Sequence, residues 1–309
     1  MLILTSPVLD DGPEGFNSTL FNRAFKKLNS ACVIPILENR LISMVSLDSH
    51  EEARYLANIT VTGISKSFGT LKAVNKLNLS VEPGEIRGLL GPNGSGKSTT
   101  MKIIMGMLKP DSGSINVCGI DVRSKPVETR RQIGYVPETP FLYEYLSAAE
   151  YLDLVGVAYG LDGVERKNRT SELLRALQMD KHVNEIMSGF SQGMRQKIAL
   201  ISALMHRPKV LILDEPLNGL DPRSARIVKE ILNRLAEEGV SILFSTHVLE
   251  IADAICNKIT IIADGSTIAE GTSQEIKTMA GLKNSSLEDV FLKLTGSEDT
   301  AKVVEALRL

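Results

Sequence analysis

Eight consecutive residues, Gly91-Pro92-Asn93-Gly94-Ser95-Gly96-Lys97-Ser98, join a glycine-rich turn to a lysine and a hydroxyl, and Thr99 follows at once. Glycines let successive backbone N–H groups turn inward and leave no Cβ in the way of a phosphate. A helix beginning at Lys97 adds unpaired N–H groups and the positive end of its dipole. The Lys97 ammonium can reach terminal phosphates, and the Ser98 hydroxyl can ligate Mg2+. Farther along, Val210-Leu211-Ile212-Leu213 runs into Asp214-Glu215. Four apolar residues ending in two acids fit a buried parallel strand whose carboxyl end lies at a ligand site. There Asp214 suits a metal ligand, and Glu215 suits the general base for water attacking a γ-phosphate.

These groups need elements to hold them. Val74, Leu77, Leu79 and Val81 predict a strand, although Leu77 falls one residue out of step. Glu82-Pro83-Gly84-Glu85 has Pro and Gly where a type II turn wants them. Ile86–Leu90 is a strand leading into the glycine loop, and the helix after it is predicted over Lys97–Leu108. Ser241–Ser245 reads as a further buried strand. Between it and Val210–Leu213, Asp221, Pro222 and Gly239 punctuate a helix whose Val228, Ile231, Leu232 and Leu235 form one stripe. Ser191 caps a helix over Gln192–Met205. Lys258–Ala263 and Ser266–Glu270 form a hairpin about Asp264-Gly265. A last helix, 285–296, is predicted with a Ser285/Glu288 capping box and Gly296 at its end.

Composition narrows the rest. The chain has 309 residues, with 35 Lys+Arg against 37 Asp+Glu for a net charge of −2. That balance gives no bulk attraction for nucleic acid or anionic lipid. Apolar residues at 43% exclude a wholly disordered chain. The longest stretch free of Asp, Glu, Lys and Arg is 11 residues, too short to span a bilayer. Cys32, Cys118 and Cys256 have neither metal nor redox spacing, and the start MLILTSPVLDD lacks the features of a secretory signal. A reduced, soluble cytosolic chain is expected. Residues 1–57 show no sustained period and read as a loosely ordered leader, or as a start placed upstream of Met44. A helix against a partner or membrane surface, resting on Phe21, Phe25 and Leu28, is the alternative.

Taken together, residues 58–296 resemble the ATP-binding cassette (ABC) ATPases that power membrane transporters. Gly189-Phe190-Ser191-Gln192-Gly193-Met194-Arg195-Gln196 resembles the family signature LSGGQ, 94 residues after Lys97 and 23 before Asp214, counted at Ser191. Ser245-Thr246-His247, with the histidine 32 residues after Glu215, resembles the switch histidine. Asn218-Gly219-Leu220-Asp221 resembles the D-loop, and Phe68 stands where the family stacks an aromatic on adenine. The resemblance implies that Ser191 and the Gly193 amide meet the γ-phosphate bound by an opposite subunit, and that His247 contacts the γ-phosphate. Two residues depart from the family pattern around Ser191 and Gly193: Gln192 replaces a glycine, and Met194 a glutamine. In Gly134-Tyr135-Val136-Pro137-Glu138 the usual glutamine is Glu138, which keeps an oxygen able to approach Mg2+ and loses an amide donor. These departures, with Leu-Glu-Asp-Val-Phe-Leu-Lys-Leu-Thr-Gly at 287–296, resemble the drug- and export-type subgroup.

The implied fold is an α/β P-loop NTPase core of the ABC ATPase type, with an antiparallel β region and a helical subdomain. Residues 1–57 are an N-terminal extension, 58–280 the ATP-binding domain with its helical subdomain at about 138–207, and 281–309 a C-terminal helical tail. The resemblance implies an ATPase using ATP and Mg2+ that dimerises around ATP, as a homodimer, and drives a separate membrane permease, in export. It implies a peripheral place on the cytoplasmic face of the cell membrane and no nucleic acid. The Glu138–Tyr151 stretch, rich in aromatics, is the natural docking region. Two rivals stand beside this reading: an ABC ATPase acting outside transport, and a nucleotide-dependent binding subunit with little turnover.

Overall fold

A computed structural model describes residues 57–283 and 285–296. The Phe21–Leu28 helix, Cys32, Met44 and the tail past 296 lie outside the described residues. The described chain begins with β1 (Ile59–Phe68), β2 (Leu71–Val81), β3 (Ile86–Leu90), α1 (Lys97–Ile104), β4 (Ser112–Val117) and β5 (Ile120–Asp121). It continues through α2 (Pro126–Gln132), β6 (Ile133–Val136), α3 (Ala148–Ala158), α4 (Gly163–Ala176) and α5 (Gln192–Leu204). Then come β7 (Val210–Asp214), α6 (Pro222–Glu237), β8 (Ser241–Ser245), α7 (Leu249–Ile255), β9 (Lys258–Ala263), β10 (Ser266–Gly271), α8 (Ser273–Met279) and α9 (Leu287–Thr295).

Two sheets form. One is antiparallel in the order β2-β1-β4-β5; the other runs β10-β9-β3-β8-β7-β6. In the second sheet all neighbours are parallel except the β9–β10 hairpin. Helices cover both faces of the parallel strands, and that is why Val210–Leu213 is apolar at every position. Val210 and Ile212 pack with Met101, Ile103 and Ile104 of α1 and with the antiparallel sheet. Leu211 and Leu213 face the other way, into a core shared with α3, α4, α5 and α6. Among the described residues no helix is long and apolar enough to cross a membrane.

Several local expectations hold, and two shift. Gly84 takes φ 75°, and the Glu85 N–H donates to the Glu82 carbonyl at 3.1 Å. Leu77 falls out of step because β2 bulges: Val74 pairs with Lys66 and Leu77 with Ile64, so one extra β2 residue is inserted. Lys76 absorbs it at φ 49°. Helix α1 ends at Ile104, not at Leu108, because Gly106 turns left-handed at φ 64°. The Met107 and Leu108 N–H groups then donate back to the Lys102 carbonyl, which closes the helix. The final helix caps on Ser286 and Asp289 in place of Ser285 and Glu288. In SSLEDV both Ser-x-x-acid registers exist, and the adopted one buries Leu287 and Val290. The Asp264-Gly265 turn has both residues at positive φ, as a type I′ hairpin turn requires.

One charge sits inside β3. Arg87 is 1% exposed; its Nε donates to Glu85 at 2.5 Å and its Nη1 pairs with Glu270 and with Thr260 Oγ1. The guanidinium thereby ties β3 to β9 and β10. Burying a charge this deeply is tolerable only with partners of this kind.

Candidate nucleotide site

Three neighbouring strands deliver their carboxyl ends to one place. β8 lies between β3 and β7, so the glycine loop after β3, Asp214-Glu215 after β7 and Thr246-His247 after β8 converge. This is where open α/β sheets hold ligands.

The loop's shape rests on its glycines. Gly94 and Gly96 take φ 81° and 103°. A Cβ on Gly91 would run into the Ile262 carbonyl and the Ser95 hydroxyl, and one on Gly96 into the Ala73 carbonyl. The hairpin tip closes over the loop: Gly265 N–H donates to the Ser95 carbonyl at 3.1 Å, and Asn75 N–H to the Gly265 carbonyl at 2.8 Å. Helix α1 begins with no side-chain cap, so its first N–H groups point into the loop. Lys97 Nζ donates to the Gly91 and Pro92 carbonyls at 2.7 and 3.1 Å. Burial lowers its pKa, against the opposing charges of Glu215, Asp214 and Glu138. Ser98 and Thr99 occupy the first turn of α1, half-buried.

Asp214 is buried at 4% exposure and accepts from Ser245 Oγ at 2.5 Å. Glu215 takes φ 50°, rare for a residue with a side chain. Its N–H donates to the Ser245 carbonyl and hydroxyl, each at 3.2 Å. His247 Nδ1 stands 2.9 Å from the Glu215 carboxylate. Burial raises the Glu215 pKa; bonds and charge from His247 and a bond from Thr246 pull it back, and Asp214 adds to the rise. Ser98, Asp214 and Glu138 offer a hydroxyl and carboxylates, the hard oxygen donors that Mg2+ takes. The glycine cradle and Lys97 fit a polyphosphate.

Phe68 is 51% exposed at the end of β1, with Lys66 Nζ 5.8 Å from its ring centre. Ser191 caps α5 by accepting the Met194 N–H at 3.3 Å. A Cβ on Gly193 would approach the Gly219 carbonyl to 2.8 Å, and one on Gly219 would meet Gln192 Cδ at 2.8 Å. Within one chain, Gly193 thus lies beside Gly219 and Leu220, and the Gln192 side chain rests on Gly219. Asp221 caps α6 through the Ser224 N–H at 2.9 Å. Glu138 lies after β6 and is exposed.

The strand ending at Ser245 and the switch motif it opens do not reveal its bonds to the Asp214 carboxylate and the Glu215 N–H, and the turn at Gly265 does not reveal its bond to Ser95. The signal for Ser245 was its place beside Asp214 at the end of the neighbouring strand; for Gly265 there was none.

Comparison with known proteins agrees with this geometry. A family profile described as ABC transporter matches residues 74–218. The chain is 36% identical over 237 residues to the ABC-type transporter ATP-binding protein EcsA of Bacillus subtilis, covering 77% of this chain and 96% of that protein. It is 35% identical over 223 residues to the daunorubicin/doxorubicin resistance ATP-binding protein DrrA of Streptomyces peucetius, covering 72% and 68%. A dimeric ATP-binding cassette in a post-hydrolysis state, bound to ADP and Pi, superposes with a TM-score of 0.65 at 26% identity, over 69% of this chain and 98% of that one. With its glycine cradle, strand-end acids and α/β core, the chain belongs to the ATP-binding proteins of the ABC transporter family, and it is an ATPase.

Proposed function

We propose that this chain binds Mg-ATP in the 91–99 loop, closes head to tail with a second copy, and uses hydrolysis to drive a separate membrane permease in export. The observation that carries the reading is the Glu215–His247 pair, 2.9 Å apart beside buried Asp214. A carboxylate with a raised pKa is a stronger base, and His247 holds its orientation. Water gives its proton to Glu215 as its oxygen bonds the γ-phosphorus; the bond to the bridging oxygen breaks, and its electrons leave with ADP. Lys97 and the loop N–H groups stabilise the charge that develops. Bound Mg2+, held by Ser98, Asp214 and Glu138, would neutralise phosphate charge. Phe68 stacks the adenine, and Ser191 with the Gly193 amide meets the γ-phosphate of the second copy.

The permease surface is the stretch after Glu138. Phe141, Tyr143 and Tyr145 stand exposed there, an apolar patch of the kind that binds a partner. A place at the cytoplasmic face of the membrane follows from that partner. Export is supported by likeness to a relative named for drug resistance.

Glu215→Gln tests the reading. The variant should hold ATP as tightly as the parent, lose hydrolysis by about 100-fold or more, and elute as a dimer with Mg-ATP. Normal turnover would remove Glu215 as base; a monomer with nucleotide bound would remove the head-to-tail closure.

A further inference from the structure

The exposed aromatic loop is joined to the segment that leads into α5. Ser188 N–H donates to the Glu144 carbonyl at 2.8 Å and Met187 N–H to the Leu146 carbonyl at 3.0 Å, while Ser147 and Ile186 form an antiparallel bridge. One side-chain ion pair crosses this seam: Arg195 Nη1 stands 3.1 Å from Glu144 Oε1. The same guanidinium donates from Nη2 to the Ser188 carbonyl at 3.3 Å. Arg195 therefore touches both the loop that bears Tyr143 and Tyr145 and the turn that precedes Ser191.

The electrostatics give the pair a direction. Arg195 lies one turn into α5, near its positive end, and the first turn of that helix holds no acid. A cation there is disfavoured by the helix dipole. Glu144, brought in from another segment, supplies the missing negative charge. A second anion delivered to the same helix end competes with Glu144 for the guanidinium.

We propose that Glu144 is a positioning residue for the ATP site: through Arg195 it links the Phe141–Tyr145 loop to the turn bearing Ser191 and Gly193. The γ-phosphate of a second copy, on reaching Ser191, weakens the Glu144–Arg195 pair and moves the loop. Force applied to the loop by a partner travels the other way and sets how Ser191 and Gly193 meet the phosphate. The proposal rests on the reading that these two residues contact the nucleotide of a second copy.

The chain contains no tryptophan, and Tyr145 is 91% exposed, so Tyr145→Trp places a lone emitter on the loop. In a Glu215→Gln background, Mg-ATP is expected to change acrylamide quenching of that tryptophan. At saturating Mg-ATP, Glu144→Gln should abolish the change, and Glu144→Asp, which keeps the charge, should restore it. An undiminished change in Glu144→Gln overturns the proposal. So does the absence of any change with Glu144 intact in a sample that size exclusion shows to be dimeric. A sample that binds ATP yet stays monomeric overturns the head-to-tail reading, and this link falls with it.

Discussion

The Ser245 hydroxyl donates to the Asp214 carboxylate at 2.5 Å, joining the last residues of β7 and β8 across the ladder. The same hydroxyl oxygen accepts from the Glu215 N–H at 3.2 Å. One small side chain thus holds the Asp214 carboxylate and the Glu215 backbone together. Ser245→Ala leaves Asp214 without this donor. It should raise the Mg2+ concentration for half-maximal hydrolysis about 10-fold, as loss of an outer partner of a metal ligand does. A metal titration of the ATPase rate at saturating ATP reads the change.

The acid limb of the hydrolysis rate should follow Glu215. Its pKa lies above the ordinary 4.5 because burial disfavours the carboxylate. The base form, and with it turnover, is lost as pH falls through that raised value. His247 pulls the pKa down, so His247→Ala should shift the limb to higher pH as well as slow the reaction. A pH–rate profile of the two proteins makes the comparison; an unmoved limb would separate Glu215 from the titrating base.

Lys97→Ala should weaken ATP binding by about 100-fold, the scale of hydrogen bonds to a charged group. The variant also loses the ammonium's bonds to the Gly91 and Pro92 carbonyls, but the Gly265 bonds to Ser95 and Asn75 remain, so thermal stability should fall by only about 1 kcal/mol. Calorimetric titration with ATP and a melting curve check the two halves separately.

Gly96→Ala meets two obstacles, φ 103° and the Ala73 carbonyl. The backbone cost alone is about 1–3 kcal/mol. The variant should be less stable and should not bind ATP. Gly94→Ala, at φ 81° with open space around it, should pay only the backbone part. Denaturant midpoints of the two variants should rank in that order.

Arg87→Met removes the partner of Glu85, which is itself buried. An uncompensated buried carboxylate costs about 3–5 kcal/mol, so chemical denaturation should show a large loss of stability. Because Arg87 lies away from the loop, ATP affinity at a temperature where the variant is folded should change little.

Much of the site was legible because it is local. The 91–98 loop needs glycines at fixed offsets, and strands buried on two faces must be apolar throughout until they reach a ligand. Caps also announced themselves, as Ser191 and Asp221 do. What escaped was non-local or degenerate. Residues 285–289 offer two equivalent capping registers, and only packing of Leu287 and Val290 chooses between them. Gly106 ends α1 early, although Met107 and Leu108 continue its apolar pattern. Leu77 signalled a bulge without saying which residue would absorb it. The Arg87 network draws on residues as far apart as 85 and 270, and nothing around Ile86–Leu90 foretells it.

The cradle for phosphate is finished by the tip at Asp264-Gly265, which follows Lys97 by well over a hundred residues. During synthesis on a ribosome the loop emerges early, but its lid contact through Ser95 and Asn75 cannot form until that distant turn has cleared the exit tunnel. Until the β9–β10 turn has emerged, the 91–98 loop lacks the Gly265 bond that fastens it at Ser95.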